Sequence, residues 1–378
     1  MILHLTTVHP RNDVRIYLKE VESLSAGLDI EIGLMVADGL GDEKMNRGLK
    51  SISILDIGKS RFGRVGRLTI APFRVLVRVL RLQPSVVHFH DPELLLVGIV
   101  LRLFGLIVIY DIHEDVPRQI LSKHWIPLRT RRIVSMITEA IEWLATLILS
   151  AFVAATPTIA KRFPNGRTIC LQNYVLLSEF KSVRENTYQD RKNKFGYVGV
   201  ISKPRGIEEI VSALELVNLE SDLHLSLAGY FSPDKLRSSV AKSEGWKYVS
   251  FHGFASREDV IEILCTSRAG LLLLHPLANH VDSQPVKMFE YMAAGIPIIA
   301  SDFPLWREII SGVGCGILVD PLDVEAIAAA MKWLLDNPSL AEEMGDRGRI
   351  AVQSKYNWDH ESGKLLDLYR SLLSEKSK

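Results

Sequence analysis

Cysteine is scarce in this chain: Cys170, Cys265 and Cys315 are the three among 378 residues. They stand far apart and fit neither a zinc-ligand spacing nor a disulfide framework, so reduced thiols and a cytoplasmic setting are expected. A clean apolar run of membrane length is lacking too. The most apolar segment, LLLVGIVLRLFGLIVIY at 94–110, has 17 residues and contains Arg102 and a Gly105 break. It reads as a helix followed by a buried strand, and no spanning segment is expected. The first residues, MILHLTTVHPRNDVR, have no basic leader and too short an apolar run for a signal peptide. There is no Asp-x-Asp pair to hold a metal-bound nucleotide, no Walker loop and no Gly-x-Ser-x-Gly elbow. GVGCGI at 312–317 mimics a dinucleotide fingerprint but precedes a strand instead of following one. The net charge is +1 and the basic residues are not interleaved with aromatics, which argues against nucleic acid as a partner.

The length exceeds what one hydrophobic core serves, so two domains are expected. Short apolar runs alternate with helical stretches. ILHLTTV (2–8), IEIGLMVA (30–37), SISILDIG (51–58), SVVHFHD (85–91), LIVIYDIH (106–113), FVAAT (152–156) and TICLQN (168–173) read as strands. VRIYLKEVESLSAG (14–27) and the stretch from Arg129 to Leu149 read as helices. The polar, patternless 177–194 reads as a linker. Alternation then restarts with FGYVGV (195–200), LHLSLAGY (223–230), YVSFHGF (248–254), AGLLLLHP (269–276), IPIIASD (296–302) and GILVDP (316–321), and the chain ends in helices. Near-continuous apolar strands between helices predict parallel sheets covered on both faces. The expected class is α/β: two Rossmann-like doubly wound domains, 1–178 and 190–356, facing a central cleft where ligands bind.

Three groups of residues carry candidate chemistry. In PVKMFEYMAAGIPIIASD (285–302), Pro285 suits the first turn of a helix, which leaves the N–H groups of Val286, Lys287 and Met288 unpaired at a phosphate-binding end. Asp282 and Glu290 would bracket a phosphosugar from opposite sides, although an exposed Lys287–Glu290 pair explains the charges equally simply. Second, the strand ends in VVHFHDPELLLVG (86–98) and VIYDIHEDVPRQI (108–120) bring His90 and Asp91 near His113. Third, TTVHPRNDVRIYLKE (6–20) places His9, Arg11, Asp13 and Arg15 after the first strand, where a basic loop would meet an anionic group.

DSQPVKMFEYMAAGIPIIASD resembles the donor-site signature of retaining glycosyltransferase family 4: two acidic residues with seven residues between them, then an Ala-Gly-x-Pro turn into a strand. The glycine turn of FGYVGVISKPRGIEEIVSAL (195–214) is similar to the family's as well, although Val200 stands where the family often has Arg. The resemblance implies the GT-B fold, with the last helix, 357–378, crossing back onto the first domain. It implies that Asp282, usually Glu, faces the donor sugar and that Glu290 holds the ribose. It puts Gly199, Lys203, Arg205 and Lys287 around the diphosphate and His113 against the transferred sugar. It further implies transfer with retention, without a metal ion or other cofactor, from a nucleotide-sugar that is most plausibly UDP-linked. The loop at His9 to Arg15 resembles a bacterial surface-polysaccharide subgroup. That subgroup implies a polyprenyl-diphosphate-linked saccharide acceptor in O-antigen, capsule or exopolysaccharide assembly, and a peripheral position on the inner face of the cytoplasmic membrane. Two alternatives stay open: a sugar-nucleotide 2-epimerase of the same fold, with Glu114 and Asp115 as extra carboxylates, and a non-catalytic nucleotide-sugar-binding subunit.

The first 180 residues carry 22 Lys/Arg against 17 Asp/Glu. Arg74, Arg78 and Arg81 form a stripe in the Arg-rich 61–84, and 122–134 adds Lys123, Trp125, Arg129, Arg131 and Arg132. A basic amphipathic surface with an interfacial Trp predicts contact with an anionic membrane.

Overall fold

The structure is a computed structural model that describes residues 1–47, 50–59, 63–122, 126–180 and 188–376. Arg61, Lys123 and Trp125 of the expected membrane surface therefore lie outside the described residues. The chain divides into two compact units: Met1–Asn173 together with Trp358–Lys378, and Tyr174–Asn357.

Among the described residues, unit 1 has eight strands: β1 (Ile2–Leu5), β2 (Ile32–Val36), β3 (Glu43–Arg47), β4 (Lys50–Asp56), β5 (Val86–Phe89), β6 (Ile107–Ile112), β7 (Ala151–Ala154) and β8 (Thr168–Cys170). Their order is β3-β4-β2-β1-β5-β6-β7-β8. All neighbours are parallel except β3, which pairs antiparallel with β4. The sequence reading missed β3, because EKMNR shows no apolar alternation and lies at the sheet edge. β1, β2, β5, β6 and β7 are buried along their whole length, as both-face helix cover requires. The 94–110 segment resolves into the helix Leu95–Leu103, a left-handed Gly105 (φ +85°) and β6. Among the described residues no helix is long and apolar enough to cross a membrane.

The stretch 14–27 is not one regular helix. Val14–Val21 is π-helical and continues as the α-helix Glu22–Gly27. Asp13 caps its start, accepting from the N–H groups of Arg15 and Ile16 at 2.9 Å each. The wider π turn places Arg15, Lys19 and Glu20 together on the buried side. The last helix, Trp358–Lys376, belongs to unit 1, where Trp358 Nε1 donates to Ser23 and Tyr369 is fully buried.

Unit 2 has six strands: β9 (Lys194–Val198), β10 (His224–Ala228), β11 (Val249–Gly253), β12 (Ala269–Leu272), β13 (Ile298–Ser301) and β14 (Gly316–Val319). The order β11-β10-β9-β12-β13-β14, all parallel, is the doubly wound arrangement with its reversal between β9 and β12. In unit 1 the same reversal falls between β1 and β5. Both reversals put candidate residues at strand carboxyl ends: Gly199 after β9, and His90 after β5.

Candidate functional site

In unit 2 the site is built on glycine. Gly199 (φ +109°) and Gly229 (φ +141°) follow β9 and β10. A Cβ on Gly229 would lie 1.8 Å from the carbonyl oxygen of Gly199, so the two backbones touch. The helix Val286–Ala293 follows β12, with Pro285 as its cap instead of its first turn. Met288 is a correction to the expected set of free donors. Its N–H donates to the Pro285 carbonyl at 3.0 Å and its side chain is wholly buried, which leaves Val286 and Lys287 as the first-turn donors.

Lys287 is buried, and its Nζ makes no hydrogen bond. The ammonium lies 4.0 Å from the ring centroid of Tyr197 and 3.8 Å from the point a Gly199 Cβ would occupy. Burial, and then the neighbouring Arg205, lower its pKa to about 7 against the opposing pull of Glu290. A buried cation beside a second cation at a helix N-terminus lacks the anion that would satisfy it.

Glu290 does not pair with Lys287. Its Oε1 accepts from Arg257 Nη1 at 2.5 Å, while Nε and Nη2 of the same guanidinium bind Glu179 at 3.1 and 2.6 Å. Arg257 holds one oxygen of Glu290 and so fixes its orientation. Lys203 is a correction as well: its exposed ammonium is 2.8 Å from Glu208 and turned to solvent. Asp282 is exposed just after the short helix Ala278–Val281. Arg257 and Glu179 were invisible to motif reading because Arg257 meets Glu290 from 33 residues away and Glu179 from 78.

In unit 1, His9, Asp13, His90, Asp91 and His113 gather at the ends of β1, β5 and β6. Asp91 accepts from the Thr7 N–H at 2.5 Å and from Thr6 Oγ1 at 3.0 Å, which ties the loop after β1 to β5. His9 Nδ1 is 3.1 Å from Asp13 Oδ2, and its ring is 5.5 Å from that of His113. Burial opposes ionisation of Asp13, yet the His9 ring and the Ile16 N–H hold its pKa down at about 2. His113 Nε2 is 2.7 Å from Asp111 Oδ2. Burial would raise the Asp111 pKa, but Arg15, His113 and His90 outweigh it and keep the carboxylate ionised.

The two loop arginines are paired within the chain. Arg11 is bonded to Asp38 at 2.7 and 2.8 Å and to Glu43 at 2.7 Å. Arg15 is buried, bonded to Asp111 at 2.9 Å and to the Leu171 carbonyl at 3.2 Å. Their acidic partners are scattered along the sequence, so no spacing announced them. Asp111, Glu20, His4 and Tyr369 were missed for the same reason; a lone Asp inside the apolar IVIYDI was the available signal.

Residues 178–351, just under half of the chain, match the family described as Glycosyl transferases group 1, so this segment of unit 2 is similar to a glycosyltransferase domain of that group. The fold is GT-B: sucrose-phosphate synthase from Thermosynechococcus elongatus superposes with a TM-score of 0.76 at 16% identity, covering 99% of both chains. Anabaena HepE in complex with UDP gives 0.69 at 12% identity, covering 98% of this chain and 99% of that one. Among curated proteins, MMP alpha-(1->4)-mannosyltransferase of Mycolicibacterium hassiacum is 25% identical over 175 residues, 45% of this chain and 41% of that protein. Phosphatidyl-myo-inositol mannosyltransferase of Mycobacterium leprae is 26% identical over 188 residues, 48% of this chain and 47% of that one. The chain thus spans less than half the length of these two curated relatives.

Proposed function

We propose that the protein transfers a sugar from a UDP-linked nucleotide-sugar to a polyprenyl-diphosphate-linked saccharide in surface-polysaccharide assembly. One observation carries the donor half: the buried, unpartnered ammonium of Lys287 beside Arg205, at the start of a helix and against the Gly199 turn. A nucleoside diphosphate supplies the charge this corner lacks. Departure of the diphosphate builds negative charge there, and pre-placed cations stabilise it. Glu290, held by Arg257, has its second oxygen for the ribose. UDP in the HepE structure supports the choice of nucleotide.

Transfer with retention and without a metal fits this arrangement, since Lys287 and Arg205 occupy the role a divalent ion has elsewhere. In unit 1, His113, oriented by Asp111, would meet the transferred sugar, and His9 with Asp13 would meet the acceptor.

A peripheral membrane position is favoured by a surface different from the expected one. Arg74 and Arg78 hydrogen-bond back onto the carbonyls of Ile57 and Asp56. The helix Leu128–Ile148 instead exposes Met136 (69%), Ile137, Trp143 (63%) and Leu147, with Arg129 and Arg132 exposed near its start. An apolar face with basic residues at one end suits an anionic lipid surface.

Thermal melting against a panel of UDP- and GDP-sugars tests the donor assignment, because a ligand of the folded state raises the midpoint by mass action. Transfer to a membrane extract then tests the acceptor. Conversion of a UDP-sugar without any acceptor would favour the epimerase reading.

A further inference from the structure

Unit 1 contains a second cluster, which shares His90 with the candidate site and is otherwise made of residues buried behind it. His4 on β1, His88 on β5, His90 just after it and Glu20 in the π-helical turn are all buried. One nitrogen or oxygen from each lies within 4.8 Å of the others. His4 Nδ1 is 3.0 Å from His90 Nε2, and Glu20 Oε2 is 3.9 Å from the first and 4.0 Å from the second.

The opposite nitrogen of every ring is already engaged. His90 Nδ1 faces Asp111 Oδ2 at 3.1 Å. His88 Nδ1 is 2.8 Å and His4 Nε2 is 3.2 Å from the hydroxyl oxygen of Tyr369. The inward atoms are the unsatisfied ones: His88 Nε2 and both Glu20 oxygens receive no hydrogen bond although they are buried. Arg15 Nε lies 3.2 Å from Glu20 Oε1, but its N–H is directed at Asp111. A dry core tolerates such convergent orphaned acceptors only if something fills the point they share.

We infer that His4, His88, His90 and Glu20 form a buried site for one divalent transition ion of the zinc class. Three imidazoles and a carboxylate suit such an ion, as does a carboxylate, Asp111, behind a ligating ring. Binding replaces the His4–His90 hydrogen bond, and the proton that burial keeps on the Glu20 carboxyl is released to solvent. The proton of His4 Nδ1 moves to Nε2, where the Tyr369 oxygen accepts it, and the tyrosine hydroxyl turns away from both rings. The ion would tie β1, β5 and the π-helical turn beneath the last helix. Its role would be structural, and it would take no part in sugar transfer. With no exposed ligand, it would enter during folding and exchange slowly.

Elemental analysis of the full-length, tag-free protein, purified without chelator and dialysed against EDTA, tests the site. About one zinc-class ion per chain is expected, together with four-coordinate visible bands after refolding with Co2+. Glu20→Gln preserves shape and removes the anionic ligand. Retained metal should fall in this variant while its circular dichroism and the protease resistance of unit 1 are unchanged, which shows that the unit carrying the site is still folded. A metal-free protein that takes up neither Zn2+ nor Co2+ on refolding overturns the inference. Full metal content in Glu20→Gln overturns it too.

Discussion

The ammonium of Lys287 rests 4.0 Å above the ring of Tyr197, buried and without a hydrogen bond. Tyr197 supplies the face of a ring but no counter-charge, so the pair leaves a cation waiting for an anion. With a pKa of about 7 against an ordinary 10.5, Lys287 is largely neutral at higher pH in the ligand-free protein. A bound diphosphate restores the charge and takes up a proton. The dissociation constant for UDP should be flat below about pH 7 and rise by up to tenfold per unit above it. Calorimetry in buffers of different ionisation enthalpy measures both the rise and the proton. A flat profile from pH 6 to 9 contradicts the assignment.

The same group sets a stability trend. The unfolded lysine keeps its pKa near 10.5, so between about 7 and 10.5 the unfolded chain binds more protons than the folded one. Ligand-free stability therefore rises with pH across that window, and the burial penalty is fully present below it. Lys287→Met should stabilise the ligand-free protein below pH 7 by about 1–4 kcal/mol while removing the pH dependence. Denaturant midpoints at pH 6 and 9 for both proteins check this.

If Glu290 holds the ribose as proposed, Arg257 acts on the donor through it. Arg257→Ala should weaken UDP binding by about tenfold, since an oriented, charge-assisted contact is lost. Inorganic pyrophosphate, which has no ribose, should bind as before. Equal losses for both ligands would make Arg257 merely structural.

Gly229→Ala meets two obstacles at once: a φ of +141° and a Cβ 1.8 Å from the Gly199 oxygen. A loss on the order of 2–4 kcal/mol is expected, along with a damaged phosphate corner. Chemical unfolding measures the first and UDP titration the second.

Replacing Met136, Ile137 and Trp143 with Ser should reduce co-sedimentation with vesicles containing anionic lipid and leave UDP binding intact. Added salt should weaken the remaining contact through Arg129 and Arg132. Unchanged sedimentation would remove this helix from the membrane account.

The parallel sheets were legible in the sequence because the central strands are near-continuous apolar runs, and the glycine turns because their spacing is local. Lys287 and Glu290 were legible as charges inside an apolar helix. Their partners were not. Arg257 reaches Glu290, and Glu179 reaches Arg257, only after folding, and Arg11 and Arg15, which looked free in the loop, are neutralised by Asp38, Glu43 and Asp111 from distant parts of the sequence. The edge strand β3 was missed because a solvent-facing strand carries no apolar signal. The π-helical turn was missed because its sequence has ordinary helical spacing.

The donor corner is tested most directly by titrating UDP into the full-length protein and into Lys287→Met at pH 7. The wild type should bind, and the variant, though folded, should lose about ten- to a hundredfold in affinity, as removal of a buried charge-assisted contact requires. Equal affinity in the two proteins, or no binding of any nucleoside diphosphate to the wild type, would contradict it.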